Sequence, residues 1–180
     1  MTDDIYLTLK KGKYFLNSSL QANLLSNLDF SFGKNYLLTG DNGTGKSSFI
    51  KNVILPELDK VSENKFLYYH TEQDISVQYY IIKSYYKGLK RCQNSFATLV
   101  ESLNNLKRNY LNFNYFQNLK IVFVLDEIDQ FLTINDFVQD LLTENMSIII
   151  VSHNEENIDS NIITQSIKFT KANNSITNIA

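Results

Sequence analysis

Apolar positions change their spacing several times along the chain, and each change predicts an element. Residues 5 to 16 read as two short strands around Lys11-Gly12, and Leu28 to Phe32 alternates apolar and polar side chains with the period of a third strand. Gly33-Lys34-Asn35 then turns the chain into the apolar segment Tyr36-Leu-Leu-Thr39. From Lys46 the spacing becomes helical, with Phe49, Ile50, Val53 and Ile54 on one face, and Pro56 predicts the end of that helix, followed by a polar connection from Leu58 to Asn64. Residues 65 to 70 read as a buried strand. Residues 75 to about 118 read as helical, with Ile75, Tyr79, Ile82 and Tyr86 on one face and Phe96, Leu99, Val100, Leu103 and Leu106 on another.

Further on, Ile121-Val-Phe-Val-Leu125 is an unbroken apolar run of the kind found in a central parallel strand covered on both faces. Phe137, Leu141 and Leu142 mark a helix with Asn135 as its cap, and residues 147 to 151 form a second buried strand. Residues 166 to 170 and 175 to 179, around Asn173-Asn174, predict an antiparallel hairpin. Together these elements predict one α/β domain spanning residues 1 to 180. Its mostly parallel central sheet is flanked by helices, with antiparallel strands at the N-terminus and a helical lobe near 75 to 118.

Between the strand ending at Thr39 and the helix opening at Lys46 lies Gly40-Asp-Asn-Gly-Thr-Gly-Lys-Ser47, which fits G-x-x-x-x-G-K-[ST], the pattern of a phosphate-binding loop. Three of the chain's six glycines fall in this octet, which separates it from a chance turn. Gly40, Gly43 and Gly45 allow positive φ and close approach, so successive N–H groups can turn inward on an anion. The following helix points its positive end at the same place. Gly40, Asp41, Asn42, Gly43, Thr44, Gly45, Lys46, Ser47 and Ser48 are therefore the expected nucleotide contacts. Lys46 is expected on the β- and γ-phosphates and Ser47 on Mg²⁺. Tyr14 and Phe15 precede the loop by about a strand pair, so either ring is a candidate to stack on a base, with core packing as the alternative.

Polar groups at the carboxyl ends of the predicted strands supply the remaining chemistry, because open α/β sheets bind ligands along that edge. Gln73 is a candidate to touch a metal or an attacking water, with a solvated turn as the alternative. Asp126 and Glu127 end the apolar run at 121 to 125. Asp126 is the candidate Mg²⁺ ligand, and Glu127, one residue beyond, is placed to orient a water nucleophile. His153 follows the second buried strand and is a candidate to sense or stabilise the γ-phosphate, whereas His70 reads as packing or a strand end.

A net charge of −2 argues against broad adhesion to DNA or anionic membrane. The aromatic tract Tyr110 to Phe116 reads as core or a protein-partner surface in preference to a nucleic-acid platform. The single cysteine, Cys92, excludes an intramolecular disulfide and suits a reducing compartment. No apolar run reaches the ~18 residues that span a bilayer, and the first residues lack the basic and apolar segments of a signal peptide. A cytoplasmic protein is expected, with any membrane role coming through a partner.

In this order, the loop at 40 to 48, Gln73, Val-Leu-Asp-Glu at 124 to 127, Asp129 and Ile-Val-Ser-His at 150 to 153 resemble the nucleotide-binding domain of ATP-binding cassette (ABC) ATPases, across most of the chain. The resemblance implies an ATPase that uses ATP and Mg²⁺. It would form a homo- or heterodimer around ATP and drive or gate a protein partner, commonly a membrane permease subunit at the cytoplasmic face. It also implies adenine stacking by Tyr14 or Phe15, Gln73 as the glutamine loop and a ligand of Mg²⁺, and Glu127 as catalytic base. Asp129 would be the dimer-contacting aspartate and His153 the switch histidine. Two departures stand out. Where the family carries Leu-Ser-Gly-Gly-Gln this chain has Cys92-Gln-Asn-Ser-Phe96, and the stretch from Lys46 to Gln73 is tight for the family's extra antiparallel strands. Other readings are a DNA-maintenance ATPase of the SMC or recombination-repair kind, for whose long arms there is no room, and an interaction protein that reads ATP without hydrolysing it. A small P-loop kinase is disfavoured because Arg91 and Arg108 are the only arginines.

Overall fold

The computed structural model describes residues 4–62, 65–70, 120–126, 143–152 and 158–180. The expected helical segment at 75 to 118, the helix capped by Asn135, and Gln73, Glu127, Asp129 and His153 lie outside the described residues.

Among the described residues, ten strands form two sheets. β1 (Ile5–Leu9) pairs antiparallel with β4 (Leu28–Ser31) in a small two-stranded sheet. The larger sheet contains β2 (Gly12–Phe15), β3 (Gln21–Leu24), β5 (Asn35–Thr39), β6 (Leu67–His70), β7 (Ile121–Leu125), β8 (Met146–Val151), β9 (Gln165–Asn173) and β10 (Ile176–Ile179) in the order β2-β3-β10-β9-β5-β8-β7-β6. β9, β5, β8, β7 and β6 run parallel to one another. This is the mostly parallel sheet that the unbroken apolar runs predict: β7 and β8 are buried along their whole lengths.

β1 and β2, adjacent in sequence across Lys11-Gly12, do not pair with each other but join different sheets. β3, which has no counterpart among the predicted strands, carries Ala22 and Leu24 into the core and bridges β2 to β10. Its signal is two apolar positions in four, too short a run to stand out locally.

The helix opening at Lys46 does not end before Pro56. It runs as α1 (Lys46–Phe49), a π-helical segment (Ile50–Ile54) and α2 (Leu55–Ser62). A proline inside a helix costs about 3 kcal/mol. Continuing past it buries Leu58, worth roughly 1.5–3 kcal/mol, so burial offsets much of the penalty. The wider π turn immediately before Pro56 changes the hydrogen-bond ladder where the missing N–H would interrupt it. Residues 58 to 62 of the predicted polar connection from Leu58 to Asn64 are thus the end of a packed helix.

The core is one cluster in which Phe30, Tyr36, Leu38, Phe49, Ile54, Val124 and Phe169 are fully or almost fully buried. Phe49 meets Phe169 edge-on at 5.4 Å, fixing the first turn of the helix against β9. That contact places the end of β5, the loop and the helix as one unit.

Candidate functional site

The loop after β5 occupies the carboxyl edge of the parallel sheet. Gly40 has φ of 133°, and a methyl group there would lie 2.3 Å from the Phe169 carbonyl oxygen, so only glycine lets β5 and β9 approach at this point. Gly45, at φ 90°, is the residue before the first helical turn, and a methyl there would meet Leu16 and Leu20 at 2.7 and 2.8 Å. The segment between β2 and β3 is therefore packed directly on the loop. It is held there by an Asn52 amide that donates to the Leu16 carbonyl at 2.6 Å, and by Asn17 Oδ1, which accepts from the Ser19 and Leu20 amides.

Inside the loop, Thr44 is buried and its hydroxyl donates to the Asp41 carbonyl at 2.8 Å. From the other side the Thr177 hydroxyl of β10 donates to the Thr44 carbonyl at 2.9 Å. Lys46 is buried, and its ammonium donates to the carbonyls of Gly40 and Asp41 at 2.6 and 3.2 Å, which folds the long side chain back over the loop. Asp41, Asn42 and Gly43 are exposed, and Ser47 and Ser48 are half-buried.

β7 delivers the acid. Asp126, the residue after its last strand position, is buried, and its Oδ1 accepts a hydrogen bond from Ser47 Oγ at 3.1 Å. β8 lies between β5 and β7, so this contact crosses the end of an intervening strand. Two residues 79 apart in sequence that were each expected on Mg²⁺ thus meet at one point. A hydroxyl and a carboxylate are hard oxygen donors, the set Mg²⁺ takes when it keeps water and phosphate in its remaining positions. The glycine-walled loop and this oxygen pair fit a magnesium-bound nucleotide.

The two candidate stacking rings part company. Tyr14 sets its ring edge-on to Phe49 at 6.3 Å and its hydroxyl donates to the Lys10 carbonyl at 2.6 Å. Burial, reinforced by the Glu57 charge and partly opposed by the Lys10 hydrogen bond, pushes its phenol above the ordinary value. Tyr14, one of the two candidate stacking rings, is half-buried and packs its ring edge-on against the helix. Phe15 alternates to the other face and is 74% exposed.

Residues that local reading passed over also build this site: Leu16 and Leu20 under Gly45, Phe169 against Gly40, and Thr177 on Thr44. None belongs to a motif, and only the folding-back of the N-terminal segment and the last hairpin brings them to the loop.

No protein family matches the sequence, and no curated protein does. Among solved structures, one of RNase-L Inhibitor superimposes with a TM-score of 0.60 at 13% identity, over 99% of this chain and 40% of that one. This chain therefore spans well under half the length of that protein. Weaker likenesses are to cbiO1 of Clostridium perfringens, described as part of the ABC transporter complex cbiONQ, and to a KaiC-like protein of Pyrococcus horikoshii. The first has a TM-score of 0.44 at 16% identity, over 99% of this chain and 88% of that one. The second has a TM-score of 0.42 at 18% identity, over 80% and 76%. With its loop, its mostly parallel sheet and the serine–aspartate contact at the sheet edge, the chain has the fold of the P-loop NTPases.

Proposed function

We propose that the chain is an ABC-type ATPase subunit that binds Mg-ATP, hydrolyses it slowly, and uses the cycle to drive or gate a protein partner, with a membrane transport complex as the setting. The observation that carries the nucleotide part is the Ser47 to Asp126 contact at the mouth of the glycine-walled loop. The ABC assignment and the transport setting rest on the order of motifs in the sequence.

In this reading the amides of residues 41 to 47 and the Lys46 ammonium bind the phosphates, and Ser47 and Asp126 hold the metal, with Gln73 as a further ligand. When bound, Mg²⁺ neutralises charge on the β- and γ-phosphates. Glu127 orients the water and accepts its proton, and His153 donates to the γ-phosphate. Phe15, the exposed ring of the pair, is the one free to cover a base. Subunits would dimerise around ATP.

Lys46→Ala tests the core of the proposal. The variant should fold, since the lysine's partners are loop carbonyls that water can reach once the side chain is gone, and it should lose most Mg-ATP affinity. Unchanged affinity by titration calorimetry would sink the nucleotide assignment.

A further inference from the structure

The last hairpin brings a second lysine to the loop. β9 runs parallel to β5 with Thr39 opposite Lys168, so Lys171 lies three residues beyond the end of β5, about 10 Å further along at the usual strand rise, level with the loop. Ile167 and Phe169 alternate into the core on one face of β9, and Lys171 is next in that row. Its ammonium reaches the loop itself: a methyl at Gly43 would lie 3.6 Å from Lys171 Nζ, with no other side chain or backbone atom within 4 Å. Its position is braced on both sides. The Phe169 carbonyl touches Gly40, and Thr177, the residue opposite Lys171 in the hairpin, holds the Thr44 carbonyl. Lys171 is exposed and forms no side-chain hydrogen bond or ion pair with the described residues, whereas Lys46 is tied to Gly40 and Asp41 at the start of the loop.

We infer that Lys171 is a second phosphate-contacting cation of this site, supplied from the C-terminal hairpin of the same chain and acting on the polyphosphate of a nucleoside triphosphate from the Gly43 side. The inference rests on the nucleotide reading above and adds a residue to it. Two ammonium groups on one loop place positive charge at its start and at its middle, where a polyanion has several charges to neutralise.

The test is titration calorimetry of Mg-ATP against the full chain and three variants. Lys171→Met keeps the aliphatic stem and removes the charge, Lys171→Arg keeps the charge, and Lys46→Ala reports on the loop. Because Lys171 is exposed, thermal unfolding of its variants should match the parent. Lys171→Met should weaken Mg-ATP about twofold to fivefold, as expected for one partly solvated charge contact, with the loss shrinking as salt is raised. Lys171→Arg should bind like the parent. If Lys171→Met binds normally while Lys46→Ala does not, the inference is overturned and the nucleotide site stands. Equal losses in Lys171→Met and Lys171→Arg would also overturn it, since charge would not be the cause. If neither Lys171→Met nor Lys46→Ala changes affinity, both the inference and the nucleotide reading fall.

Discussion

The Tyr6 hydroxyl shows how one proton is assigned by its neighbours. Ser147 Oγ donates to the Lys34 carbonyl at 2.7 Å, and a hydroxyl has a single proton, so at the 3.0 Å contact between them Tyr6 must be the donor. The ring lies among Phe30, Phe32 and Phe66. Burial drives the phenol far above its ordinary 10.0, the Ser147 contact opposes this, and Tyr36 adds to it. A tyrosine whose folded pKa is raised contributes stability that is complete below the unfolded value and is lost as pH climbs above it. Unfolding free energy should therefore fall above about pH 10, and Tyr6's part of the slope is at most ~1.4 kcal/mol per pH unit. Tyr6→Phe should be less stable near neutrality yet fall less steeply. Urea unfolding from pH 8 to 11 checks this, and parallel curves for the two proteins would show that Tyr6 ionises normally.

At the scale of elements, the terminal hairpin is a support for the phosphate loop. β9 contributes the backbone that excludes any side chain at Gly40, and β10 contributes Thr177, which is fully buried with its hydroxyl on the Thr44 carbonyl. Thr177→Val keeps the shape and strands that carbonyl, at a cost of about 1–3 kcal/mol. The melting temperature should drop and Mg-ATP affinity should fall with it, because the loop loses its brace. A variant that melts early but binds ATP as tightly as the parent would mean that the loop keeps its form without the hairpin. The helix after the loop makes a related point: Pro56 is tolerated within it because the π segment and the buried Leu55 and Leu58 hold it together.

For the whole molecule, the sheet order sets which strand ends share a site. β5 and β7 end in the loop and in Asp126, with β8 between them, and in the sequence Glu127 follows Asp126 while His153 follows Ser152. Under the proposed function, Glu127→Gln should bind ATP normally and slow its turnover by about 10²-fold or more. Basal hydrolysis should already be slow, since Cys92-Gln-Asn-Ser-Phe96 stands where a Leu-Ser-Gly-Gly-Gln sequence would complete a partner's site. Stimulation is then expected only from a partner or a subunit that supplies the missing motif. Single-turnover hydrolysis by the full chain decides it: a fast reaction that Glu127→Gln leaves untouched would place the base elsewhere.

Local chemistry wrote part of this protein directly into the order of residues. The glycine spacing of 40 to 45 specifies a tight loop with positive φ at Gly40, Gly43 and Gly45, the apolar runs at 121 to 125 and 148 to 151 specify strands buried on both faces, and Asn173-Asn174 marks the turn of the last hairpin. Each of these signals lies within a few residues of its effect. The tertiary structure alone decided that β3 would sit between β2 and β10, that the helix would run on past Pro56, and that Tyr14 would turn to Phe49 while Phe15 faced outward. It also brought Thr177 and Lys171 to a loop some 130 residues earlier in the chain. These outcomes depend on which surfaces are buried together, and that balance is set by contacts between residues far apart in sequence, where no local period or turn signal reaches.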